Sequence, residues 1–72
     1  MAKKEKIVDE YRRKLHDIAV ARTEEEVDEL LGKTEELITM NSDLFSPKEY
    51  TDNLATLRIF YWKAKTKIQE GI

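Results

Sequence analysis

Cysteine is absent from this 72-residue chain, proline occurs once, histidine once and glycine twice, and no apolar run exceeds four residues. Each scarcity excludes something. Without cysteine there are no disulfides and no thiolate zinc sites. His16 is the single imidazole, so there is no HExxH motif and no set of Glu-x-x-His pairs to hold a carboxylate-bridged metal. There is also no CxxC and no glycine-rich phosphate loop. The run Ile59-Phe60-Tyr61-Trp62 falls far short of the roughly 20 apolar residues that span a bilayer. The basic start, Met1 to Lys6, leads into Ile7-Val8-Asp9-Glu10 instead of the apolar stretch of a signal peptide. A cytoplasmic protein with no membrane segment, no metal and no cofactor is the expectation.

Catalysis is not expected either. Nucleophilic chemistry wants a base beside a hydroxyl or thiol, and His16 falls on the polar side of its helix next to Asp17. The carboxylates are spread over solvated faces, whereas acid/base pairs work when burial separates their pKa values. Three short helices should also leave little volume for a pocket of the usual range of about 300 to 1,000 Å³. No catalytic residue is assigned.

What the chain does contain is 40% hydrophobic and 39% charged residues, enough to form a core and keep it dissolved. One domain is the limit at this length. A domain this small buries only about 60% of the surface its unfolded chain exposes, so an external staple is common. With disulfides and metals excluded, that staple should be an oligomeric contact.

The expected fold is all-α, a small antiparallel three-helix bundle with helices at about 3–22, 24–40 and 47–69. Ser46-Pro47-Lys48-Glu49 is the clearest boundary: a hydroxyl for the orphan amides, proline at the first helical position, and a glutamate three residues on that reaches back. Thr23-Glu24-Glu25-Glu26 repeats the pattern for the second helix, which should end before Asn41-Ser42-Asp43. Gly71 is the candidate C-cap of the third helix. Residues 3–22 contain no breaker at all.

Periodicity at 100° per residue supports each helix. Ile7, Val8, Tyr11, Leu15, Ile18 and Ala19 share one arc of the first helix. Val27, Leu30, Leu31, Leu37 and Ile38 do so in the second, with Thr34 between them. Gly32 falls outside that arc and reads as a solvent-side residue of a continuous helix, although a break there with a new cap at Thr34 is the alternative. In the third helix Tyr50, Leu54, Leu57, Tyr61, Ala64 and Ile68 alternate by four and three, an a/d seam.

A second apolar line, Ala55, Ile59, Trp62 and Thr66, runs along the opposite side of the third helix. Two neighbouring helices cover only an adjoining arc, because packed helices lie about 8 to 10 Å apart. The remainder, widened by Phe60 and by Phe45 in the preceding loop, is expected to serve as an apolar interface. The expected uses of that face are a homodimer through the third helix or contact with a partner protein.

The net charge of −2 conceals segregation. Residues 1–22 carry seven Lys/Arg against four Asp/Glu, residues 23–46 one against eight, and residues 47–72 five against three. Glu25, Glu29 and Glu36 align on the outer face of the second helix, with Asp28 beside them, as a strip for a partner with a basic surface. A solvated face and the helix dipole account for many of the same acids. The functional expectation is a non-enzymatic protein-protein interaction module, analogous in type to the small stoichiometric inhibitors of host proteins, nucleic-acid mimics included, that phages and mobile elements use. The alternative is a nucleic-acid-binding accessory protein: Arg58, Lys63, Lys65 and Lys67 interleave with Tyr61 and Trp62, a pattern suited to phosphate contact and base stacking. The sequence pI of about 5.4 weighs against it.

Overall fold

A computed structural model describes residues 2–71, with side chains from Lys3 onward. Three α-helices, α1 (Ala2–Val20), α2 (Glu24–Met40) and α3 (Pro47–Glu70), are joined by a short link and a 3₁₀ turn at Ser42–Leu44, with no strand among the described residues. The all-α three-helix bundle expected from the caps is the observed fold. Each helix packs against the other two. Lys4 meets Glu49 at 3.1 Å and the Tyr11 hydroxyl donates to the Asn53 carbonyl at 2.7 Å. The starts of α1 and α3 therefore lie together: these two helices run parallel, with α2 antiparallel to both.

The caps explain the boundaries. At the head of α3 the Glu49 N–H donates to Ser46 Oγ at 3.2 Å and the Ser46 N–H to Glu49 Oε1 at 2.9 Å, a complete capping box with Pro47 following the cap. Thr23 caps α2 by accepting from the Glu26 N–H, but its hydroxyl then donates to the Glu26 carboxylate, so only half of the box forms. Thr23 must be extended to cap, and it is, at φ −126° and ψ 153°. That requirement ends α1 at Val20, two residues earlier than expected, with the Ala21 N–H closing a tighter turn on the Ile18 carbonyl. Gly71 does cap α3 through its N–H to the Lys67 carbonyl, but at φ −73°, so the left-handed freedom of glycine is unused.

Tyr11, Leu15, Ile18, Val27, Ile38, Phe45, Leu57 and Ala64 form the core, with Thr34 fully buried among them. The a/d seam of α3 lies against it throughout. Two expectations need correction. Ala19 is exposed, because the arc of α1 that meets its neighbours is centred nearer Tyr11 and Ile18. Phe45, expected at an external interface, is 9% exposed and belongs to the core: the 3₁₀ turn, held by Leu44 and Phe45 amides on the Asn41 and Ser42 carbonyls, folds the loop back over the bundle. α2 is continuous through Gly32, which is exposed, with no other group within 4 Å of where a Cβ would stand.

Candidate functional site

α3 is the longest helix, about 36 Å at 1.5 Å per residue, and carries two of the four exposed large hydrophobic side chains among the described residues, the others being Val20 and Met40 at the ends of α1 and α2. Trp62 is 72% exposed and Ile59 53% exposed, and Ala55 and Thr66 are also exposed. The second apolar line predicted for this helix therefore points away from the core. Phe60 does not join it. It is half-buried and packs on the core, where with Ala19, Lys63, Ala64 and Lys67 it lines a shallow cleft between α1 and α3. Its position on the flank of the seam is within reach of α1, an arc that the placement of one helix alone does not reveal.

The polar surround of the strip is unspent. Lys48, Asp52, Arg58, Lys63 and Glu70 are exposed, and none forms an ion pair among the described residues. The flank towards α2 is different. Lys65 meets Asp28 at 3.1 Å and Glu24 at 3.2 Å, the Tyr61 hydroxyl donates to Asp28 Oδ1 at 2.8 Å, and Gln69 donates to Glu24. The Tyr61 hydroxyl and the Lys65 ammonium hold the Asp28 carboxyl below its ordinary value, and Asp28 and Glu24 push Lys65 above its own.

This clasp was missed in the sequence, and it rearranges two candidate sites. Asp28 leaves the acidic strip of α2, being committed to α3. Glu25, Glu29 and Glu36 remain exposed on the outer face. Glu29 pairs with Lys33 one turn on, while Glu25 and Glu36 form no ion pair among the described residues. The basic and aromatic alternation of α3 loses Lys65 and Tyr61 to the same clasp, leaving Arg58, Lys63, Lys67 and Trp62 at the surface. A signal was available: Tyr61 and Lys65 share one flank at a spacing of four, as do Glu24 and Asp28. Matching those two flanks requires the axial register of α2 on α3, which no spacing within either helix contains.

A hollow of about 720 Å³ lies between the start of α2 and the end of α3, lined by Arg22, Glu25, Lys67 and Ile68 among others, and another of about 730 Å³ runs along α1. Both are open grooves walled by solvated side chains. His16 lies on the outer side of α1 with Asp9, Arg12, Arg13 and Asp17 along a further groove. No group of three His, Asp or Glu side chains able to hold a metal occurs among the described residues, and no helix there is long and apolar enough to cross a membrane.

No protein-family model, curated protein or solved structure matches the chain.

Proposed function

We propose that the protein is a non-enzymatic protein-binding module whose contact surface is the outer strip of α3, with Trp62 and Ile59 as its anchors. One observation carries this reading: the only tryptophan and a branched aliphatic stand next to each other in solvent, one turn apart, on a helix whose opposite side is already in the core. Contiguous exposed apolar surface that includes an aromatic is the usual composition of a binding hot spot. Arg58 and Lys63 beside it supply a polar rim.

A photocrosslinking amino acid placed at Ala55 or Thr66, at the edge of the strip, tests the proposal in extracts of the cells that produce the protein. Protein adducts are expected from both positions and not from a control at His16 on α1. Failure to form adducts, or equal adducts at His16, overturns it. Nucleic-acid adducts would instead favour a nucleic-acid-binding accessory role through Arg58, Lys63 and Trp62.

A second reading is favoured by the outward alignment of Glu25, Glu29 and Glu36. This strip leaves the bundle in a different direction from the α3 strip, so it forms a separate surface suited to a basic partner, and occupation of a nucleic-acid groove makes such a protein an inhibitor. Reversal of all three to lysine should abolish binding to that partner while leaving the helical circular dichroism unchanged. Unaltered binding rejects the acidic surface.

A further inference from the structure

We infer that the occupant of the α3 strip is a second copy of the same strip, packed antiparallel about a two-fold axis that passes α3 between residues 57 and 59. The inference rests on the strip being a protein contact surface, and the charges around it select the partner. Asp52 and Lys63 are eleven residues apart, which on a helix places them within about 20° of each other and about 16 Å apart along the axis. Both are exposed and neither has an ion-pair partner among the described residues. A two-fold axis perpendicular to both helices sets the same flank of each copy face to face, and wherever residue i meets j, j meets i. Asp52 of one copy then faces Lys63 of the other, twice.

Arg58, exposed on the other flank of the strip and nearest the axis, faces Arg58 of the second copy, a like-charge contact relieved by its long side chain turning the guanidinium out to water. The other side chains fit that register. Lys48 approaches Glu70 of the second copy, and both are exposed and without an ion pair among the described residues. Trp62 comes to lie over Thr51 and Ala55 of the second copy, the small side chains at that level. Ile59 packs beside Ile59 of the second copy. A large residue thus meets small ones, both charge pairs are complementary, and Trp62 and Ile59 leave water together.

Sedimentation equilibrium of the purified full chain, from about 10 μM to about 1 mM, reads the outcome against the monomer mass of 8.5 kDa. A concentration-dependent rise towards twice that mass is expected. Trp62→Ala should raise the dimer Kd at least about tenfold with unchanged helicity. Asp52→Lys alone sets lysine against Lys63 at both contacts, and Lys63→Asp alone sets aspartate against Asp52 at both, so at low salt each should weaken the dimer by about tenfold. Mixed in equal amounts, the two variants restore attraction at both contacts, and their heterodimer should return to within about threefold of the wild-type Kd. A monomer over the whole range overturns the second copy as occupant, while crosslinks from Ala55 or Thr66 to other proteins would still uphold the binding module. A dimer indifferent to Trp62→Ala, or one whose mixed variants do not recover, overturns this register.

Discussion

Thr34 is the one polar side chain buried in the core, and its hydroxyl donates to the Leu30 carbonyl at 2.6 Å. That carbonyl, one turn back, already accepts the Thr34 amide in the regular helix. The hydroxyl is satisfied, yet nothing depends on it. Thr34→Val keeps the branched shape and leaves no orphan acceptor, so stability should hold or rise by up to about 1 kcal/mol. Leu57→Ala, by contrast, opens a cavity where no side-chain surface meets water and should cost about 2 to 5 kcal/mol. Urea denaturation of both variants checks the pair; equal losses would mean that the Thr34 hydroxyl does more than back-bond. The arc that placed Thr34 among the apolar residues of α2 was legible because burial on a helix follows its period.

At the scale of the element, the informative positions are the caps and the one interior glycine. Gly32 is helical and exposed, and a Cβ built there meets nothing within 4 Å. Gly32→Ala should therefore stabilise α2 by about 1 kcal/mol and raise the Tm; an unchanged or lower Tm would mean that the site is occupied or bent in solution. Ser46→Ala should cost about 1 kcal/mol, since the Glu49 N–H loses its acceptor. It should also loosen Glu49, which accepts both the Ser46 N–H and Lys4 and whose carboxyl is held below its ordinary value first by the Ser46 amide and then by Lys4. Restoration of stability by Ser46→Asp, an equivalent acceptor, separates the cap from a packing loss. The starts of α2 and α3 were readable because a cap is built from four consecutive residues. The end of α1 was not, since no residue there signals a stop and the conformation of Thr23 decides it from the far side of the link.

For the molecule as a whole, the clasp between α2 and α3 and the Lys4–Glu49 contact at the α3 cap predict how stability follows pH. The carboxyls of Asp28 and Glu49 are depressed in the fold from ordinary values of 3.8 and 4.5. Their contribution is complete above those values and is lost as pH falls through the lower folded ones, so the Tm should drop below about pH 4. Lys65 is raised from 10.5; its contribution is present below that value and is lost only as pH rises further. All three are surface groups, so salt should shrink both effects. Asp28→Asn should flatten the acid limb of a thermal melt series between about pH 5 and pH 2.5, and an acid limb unchanged in that variant would remove Asp28 from the account.

The amino-acid order by itself determined three helices, two of their starts, the core-facing seam of α3 and the line of Ala55, Ile59, Trp62 and Thr66 on the other side. All of these are local, set by caps of four residues and by a period that repeats along one helix. Only the tertiary structure decided which of the remaining side chains were already spent. Phe45 went into the core with the 3₁₀ turn, Phe60 under α1, and Asp28, Tyr61 and Lys65 into a clasp, while Trp62 and Ile59 stayed in water. The physical reason is that the axial register and rotation of one helix on another arise from packing between faces distant in the chain, and no spacing within a single helix records them.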